Sequence, residues 1–257
     1  MKQFIYFRFS FLIIFSMLIF SCASRKDMAY YQNIDSVVNG ESKANFDPAL
    51  EVDDLLRIVV LAENPEIAAP FNINHLDPGS GIATTGQETN TYLIDSEGFI
   101  QFPVIGRIKL GGLTKSQAVT ELNSVLREYL KKPSVNISIL NYKVTVQGEV
   151  ARPGVFNIQS ERLTLPEALS MAGDLTIYGK RNNIMVIREK AGKKTVERVD
   201  ITKADFVNSP YYYLSQNDLI YVEPNSARIN ASTVGPNIGL ILSAASFLVT
   251  IIVLITK

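Results

Sequence analysis

Residues 142–158, YKVTVQGEVARPGVFNI, carry the reading that decides the fold. Val144 and Val146 alternate with Thr145 and Gln147, the period of a strand with one buried face, so Tyr142 to Val150 reads as a strand. Arg152-Pro153-Gly154 follows as a tight turn: Pro sets φ, and Gly is expected to take the positive φ after it. Val155 to Ile158 resumes as strand. Thr164-Leu165-Pro166-Glu167 is a capping box, in which Thr and Glu each satisfy an orphan backbone N–H. Leu165, Ala168, Leu169 and Ala172 then form a short apolar face that Gly173 caps. Ile184 to Arg188, Thr195 to Ile201 and Leu219 to Val222 finish as strands.

The order strand, turn, strand, helix, strand, strand is a β-grasp pattern. Upstream, Val135 to Leu140 reads as a strand and Thr114-Lys115-Ser116-Gln117 as a second capping box. Ala118, Leu122, Val125 and Tyr129 give its helix a stripe expected to be buried, and Lys131-Lys132-Pro133 ends it. Asp95-Ser96-Glu97-Gly98 is a turn between strands Thr91 to Ile94 and Phe99 to Phe102, with Val104 to Leu110 continuing. Asp53 to Val60 opens the series as a strand with a charged start. Ala62 to Asn90 is rich in Asn, Pro, Gly and Thr and reads as a long loop, with His75 solvated inside it. Leu50-Glu51-Val52-Asp53-Asp54-Leu55 resembles Leu214-Ser215-Gln216-Asn217-Asp218-Leu219, two related openings onto strands. The polar stretch 23–49 reads as a tether.

Both ends of the chain are apolar, in different ways. Lys2 and Arg8 precede about a dozen apolar residues, too few for a span and suited to a secretory signal. That run closes on Leu18-Ile19-Phe20-Ser21-Cys22-Ala23-Ser24, which resembles the lipobox of bacterial lipoproteins. Cleavage leaves Cys22 as the acylated N-terminus, and several acyl chains hold a protein on a bilayer essentially permanently. No Asp follows the Cys directly, so the outer membrane is the expected destination. At the other end Val234 to Ile255 contains no charged residue, enough for a transmembrane helix at 1.5 Å per residue. Gly239, Ser243, Ser246 and Thr250 recur at four, three and four, one stripe along that helix. Such a stripe lets helices approach closely in lipid, facing other subunits or a lumen. A single tail anchor remains the plainer alternative.

Composition narrows the chemistry. Lys plus Arg number 25 and Asp plus Glu 25, so no basic face recruits nucleic acid. One cysteine and one histidine exclude an internal disulfide and a Cys/His metal site, and no cofactor is implied. Asp53, Asp54, Asp95 and Glu97 could supply a carboxylate pair for a hydrolase, but turns and strand starts explain all four, and no nucleophile, base and orienting group are arranged together. Tyr211-Tyr212-Tyr213 could stack on sugar rings, though three consecutive residues cannot share one strand face.

Tyr92-Leu93-Ile94-Asp95-Ser96-Glu97-Gly98, Phe102-Pro103-Val104-Ile105-Gly106, Gly112-Leu113-Thr114, Lys132-Pro133-Ser134-Val135, Gly148 to Gly154 and Asp218 to Val222 stand in order. Together they resemble the outer-membrane polysaccharide export family (the Wza type), over roughly Leu50 to Pro224. The resemblance departs at Val52-Asp53-Asp54 and Gln216-Asn217-Asp218, where the family has Pro-Gly-Asp. It implies an α+β fold: a signal peptide (1–21), a lipidated tether (22–49), a polysaccharide export domain (50–141), one soluble-ligand-binding β-grasp module (142–225) and a transmembrane helix (234–256). It also implies a non-enzymatic role, a homo-oligomeric ring in outer-membrane lipid with its soluble domains in the periplasm. A capsular or extracellular polysaccharide chain crosses that ring, with an inner-membrane polysaccharide co-polymerase as partner. The competing reading is a periplasm-facing carbohydrate-binding lipoprotein with a tail anchor and no pore.

Overall fold

The structure is a computed structural model that describes residues 25–37, 47–72, 91–190, 192–233 and 238–255. The expected signal segment, Cys22 and His75 lie outside the described residues. The stretch expected to be a plain tether is partly folded: Arg25–Asp27 is a 3-10 turn and α1 (Ile34–Val37) a single helical turn.

β1 (Leu55–Leu61) buries Leu56, Ile58 and Val60 and turns Arg57 outward, the alternation of a half-buried strand. Behind it, α2 (Pro65–Ala68) starts on Asn64, whose side chain accepts the Glu66 N–H, and runs into a 3-10 turn, Ala69–Asn72. The head of the expected loop is therefore helical. Asn72 seals it to β1 by accepting the Val60 N–H at 2.9 Å and donating to the Val60 carbonyl at 2.8 Å. β2 (Thr91–Leu93), β3 (Phe99–Phe102) and β4 (Gly106–Lys109) precede α3 (Lys115–Leu126) and β5 (Ser134–Ile139). β1 is the centre of an antiparallel sheet in the order β2-β1-β5, and β3 and β4 form a hairpin. Both arms of the α3 capping box are present. Its buried stripe is Ala118, Leu122 and Leu126, not the expected Val125 and Tyr129. The helix stops at Leu126 and tightens, Tyr129 and Leu130 both donating to the Leu126 carbonyl. That turn carries Leu130 inward and leaves Tyr129 outside, edge-on to Phe71.

β6 (Lys143–Gly148), β7 (Gly154–Asn157), α4 (Leu165–Met171), β8 (Gly179–Lys190), β9 (Lys193–Val199) and β10 (Leu219–Pro224) form the second unit. The sheet order is β7-β6-β10-β8-β9, so the last strand enters the middle, parallel to β6 and antiparallel to β8. α4 lays Leu165, Ala168 and Leu169 on the core face formed by Val144, Val146 and Ile220. The turn after β6 corrects one expectation. Gly154 is paired with Val146 at the start of β7 and is not in the positive-φ region; Gly148 is, at φ +92°. A Cβ on Gly148 would stand 2.1 Å from the Val222 carbonyl oxygen, so the parallel β6–β10 approach requires glycine there.

These elements build two hydrophobic cores, one in each unit, and Ile139 at the end of β5 packs against both. The chain is an α+β protein. After β10 come α5 (Ser226–Thr233) and α6 (Ile238–Ile255). The expected membrane-crossing helix over 234–256 is met among the described residues only as α6; 234–237 and 256 lie outside them. The 18 residues of α6 rise about 27 Å against a hydrocarbon core of about 30 Å. No helix among the described residues is long and apolar enough to cross a membrane.

Candidate functional site

The two related hexapeptides fold into the same turn, one at the start of each unit's defining strand. In the first, Asp53 takes φ +68°, the Asp54 N–H donates to the Glu51 carbonyl, and Asp54 Oδ2 accepts the Glu51 N–H at 2.8 Å. In the second, Asn217 takes φ +62°, the Asp218 N–H donates to the Ser215 carbonyl, and Asp218 Oδ2 accepts the Ser215 N–H at 2.7 Å. The Asp side chain closes each turn. Asp and Asn tolerate the left-handed region better than other non-glycine residues, which lets these turns form without glycine.

The turns meet at Asn141. Asn141 Oδ1 accepts the Leu55 N–H at 2.9 Å and its Nδ2 donates to the Asp53 carbonyl at 2.8 Å. From the other side, Gln216 Nε2 donates to the Asn141 carbonyl and Gln216 Oε1 accepts the Lys143 N–H, both at 2.8 Å. Two amide side chains thus stitch the first turn to the second.

A hollow of about 120 Å³ opens at this junction, lined by Glu51, Asp54, Tyr142, Arg188, Lys190 and Leu214 among others. It adjoins a wider cleft of about 680 Å³ through Asp47, Pro48, Ile139, Tyr142 and Glu161, which line both. Asp218 and Arg188 form a buried pair beside it: Arg188 Nε donates to Oδ1 at 2.9 Å and Nη2 to Oδ2 at 2.7 Å. Burial pushes the Asp218 carboxyl up, opposed by Arg188. Asp54 has no such cation. Burial raises it from 3.8 to about 6, and burial followed by the Asp54 charge raises Glu51 from 4.5 to about 7.

The other residues singled out in the sequence are dispersed. Asp95 accepts the Glu97 and Phe99 N–H groups and, with Glu97, binds Arg107, so this turn is closed on itself and points no carboxylate pair at Asp54. Tyr211, Tyr212 and Tyr213 are all half-buried and engaged internally. The Arg188 guanidinium lies 4.7 Å from the Tyr211 ring centroid, Tyr212 packs between Phe206 and Tyr213, and the Tyr213 carbonyl accepts from Arg188. Gly239, Ser243, Ser246 and Thr250 are exposed along α6, where Ser243 donates to the Leu240 carbonyl and Thr250 to that of Ser246. Sequence reasoning missed Glu51, Asn141, Arg188, Lys190 and Gln216. The repeated hexapeptide was the signal that could have found Glu51 and Gln216, since both sit inside it.

Residues 42–140 match the family model described as polysaccharide biosynthesis/export protein, and residues 142–222 match that of the SLBB domain. The chain belongs to the polysaccharide export family. The break between the two matches falls at Asn141, the residue that joins the two turns. This family member is similar to two proteins called EPS I polysaccharide export outer membrane protein EpsA. With that of Ralstonia solanacearum it is 30% identical over 177 residues, 66% of this chain and 46% of the relative. With that of Ralstonia nicotianae it is 30% identical over 176 residues, 66% of this chain and 45% of the relative. The matched region thus covers less than half the length of either relative.

Proposed function

We propose that this chain is a lipid-anchored subunit of an oligomeric outer-membrane channel that exports polysaccharide from the periplasm. The observation that carries the reading is α6. Leu240, Phe247 and Leu254 are each about 70% exposed, and nothing among the described residues covers the helix. At roughly 1.5–3 kcal/mol for each large apolar side chain buried, water is a costly surrounding for it. Its rise of about 27 Å falls short of a hydrocarbon core of about 30 Å, so the helix supports lipid contact and not, by its own length, a crossing. The stripe Gly239, Ser243, Ser246 and Thr250 is the face on which identical helices would approach in a homo-oligomeric ring.

Both attachments leave from the β-grasp unit. Tyr31 and Gln32 donate backbone N–H groups to the Ile201 and Thr202 carbonyls, and Asn33 Oδ1 accepts the Ala204 N–H. Cys22 stands eight residues before Tyr30, a leash of at most about 28 Å. α5 is fixed to the same unit, since the Asn225 N–H donates to the Tyr178 carbonyl and Arg228 binds Glu149. An acylated Cys22 and an inserted α6 therefore hold the β-grasp unit (142–225) close to the outer membrane and leave the export domain (50–141) further into the periplasm. That end faces the inner membrane, where a polysaccharide co-polymerase would dock.

Two variants test the reading, Cys22→Ser and deletion of 234–257, with surface polysaccharide and detergent-extracted mass as readouts. Export is expected to fall in both, and the deletion is expected to convert a large discrete oligomer into monomer. A monomeric wild-type protein, or full export without the tail, refutes the channel and favours a carbohydrate-binding lipoprotein with a tail anchor.

A further inference from the structure

We propose that the turn Thr176–Gly179, with α5 beside it, seats on the lipid headgroup surface of the outer membrane, Ile177 and Ile229 entering the apolar layer. The Gly179 N–H donates to the Thr176 carbonyl at 3.0 Å, which closes the turn and sets Ile177 and Tyr178 at its tip. Tip positions favour Gly, Asn, Asp, Ser and Pro, so a β-branched aliphatic followed by an aromatic is out of pattern there. Ile177 is 64% exposed, and Ile229 in α5 is 47% exposed. Both are held in place. Thr176 donates twice to Glu149, from its N–H to the carbonyl at 3.0 Å and from its hydroxyl to Oε2 at 2.8 Å, and this fixes the base of the turn. Asn225 fixes the tip to α5. Its N–H donates to the Tyr178 carbonyl at 2.7 Å, its Nδ2 to the Ile177 carbonyl at 3.3 Å, and its Oδ1 accepts the Arg228 N–H at 3.0 Å.

What covers this surface follows from the two segments tied to it. On the N-terminal side, the Tyr30 hydroxyl donates to Asp174 Oδ1 at 2.8 Å, two residues ahead of the turn, and Cys22 stands eight residues before Tyr30. On the C-terminal side, α5 ends at Thr233, five residues before α6 begins at Ile238, so at most about 18 Å of chain separates them. An acylated Cys22 and a lipid-embedded α6 therefore bring one bilayer to this turn from two directions. Little charge opposes entry. From Pro224 to Thr256 Arg228 is the only charged residue, and it binds Glu149 at 3.0 Å. Its guanidinium also lies 5.5 Å from the Tyr178 ring centroid. Tyr and Arg each join an apolar body to a polar end, which suits the headgroup layer above two inserted isoleucines. The lipid occupant rests on the reading of α6 and Cys22 given above; the shape of the surface rests on its own hydrogen bonds.

The chain contains no tryptophan, so a single one introduced at a chosen site reports on that site alone. Ile177→Trp, Ile229→Trp, Phe247→Trp in α6 and Ile67→Trp in the export domain are each made in the full-length protein; all four positions are exposed. Each is reconstituted into phosphatidylethanolamine–phosphatidylglycerol vesicles, with and without phosphatidylcholine brominated near the headgroup end of its chains. Brominated lipid is expected to quench Ile177→Trp and Ile229→Trp comparably to Phe247→Trp, with emission shifted to the blue, and to leave Ile67→Trp unquenched. An unquenched Ile177→Trp, or an Ile67→Trp quenched as strongly, overturns the proposal. Should Ile177→Trp fail to fold, Ile229→Trp decides. A blue-shifted but unquenched Ile177→Trp puts a second copy of the chain on the turn in place of lipid and overturns it equally. Quenching of Phe247→Trp without Ile177→Trp overturns this contact alone, and the reverse pattern upholds the contact and overturns the insertion of α6.

Discussion

Asp54→Asn is expected to stabilise the protein at neutral pH and to leave it unchanged in acid. Asp54 gains its proton at about 6 in the fold against an ordinary 3.8, because burial disfavours its charge. The folded chain therefore holds this proton more tightly than the unfolded chain, so stability is fullest below about pH 4 and declines as pH rises through 6. A rise of that size corresponds to about 3 kcal/mol. Asparagine keeps an oxygen for the Glu51 N–H and removes the charge, but it places an amide nitrogen where Oδ1 has no partner, at a cost of about 1 kcal/mol. The net gain is about 2 kcal/mol at pH 7.5, or roughly 4–8 °C in melting temperature for a chain of this size. Glu51 should respond too, since the Asp54 charge is the second cause of its rise to about 7. Thermal melts of wild type and variant at pH 4 and pH 7.5, followed by circular dichroism, measure the difference. A variant that melts lower at pH 7.5, or a wild type whose pH dependence survives the substitution intact, refutes the reasoning.

Gly148→Ala should destabilise by several kcal/mol, since its Cβ would overlap the Val222 carbonyl and φ +92° is strained for any L side chain; a melt within about 1 kcal/mol of wild type refutes the close β6–β10 approach. Arg188→Met strands the Asp218 charge at 0% exposure and should cost about 3–5 kcal/mol, while Arg188→Met with Asp218→Asn should recover much of it; an additive double mutant in urea unfolding contradicts a coupled pair.

Local signals were enough for the elements. The period-two run around Val144 and Val146 and the capping boxes at Thr114 and Thr164 recur in the structure, because each depends on neighbours a few residues apart. The echo of Leu50–Leu55 in Leu214–Leu219 was legible for the same reason, its hydrogen bonds spanning three residues. Partnerships across the fold were not. Gln216 reaches Asn141 from 75 residues away and Arg188 reaches Asp218 from 30, and neither spacing has a period to read. The positive φ was assigned to Gly154 because it follows Pro153, yet what demands it at Gly148 is a strand more than seventy residues later. Leu126 takes the core position in place of Val125, its neighbour in the same helix, and Tyr129 falls in the turn that tightens after α3, which helix periodicity assumes away.

The place of β10 bears on how the chain assembles. It is the last strand among the described residues, and it fills the gap between β6 and β8, which have no direct pairing to each other. Until Leu219–Pro224 is available the sheet exists only as two separate hairpins, β6–β7 and β8–β9, and isolated hairpins are marginal in water. Closure is a long-range, slow event that synthesis cannot complete early. A chain still emerging from the ribosome therefore stays open over this half, and it locks only once Leu219–Pro224 has been delivered.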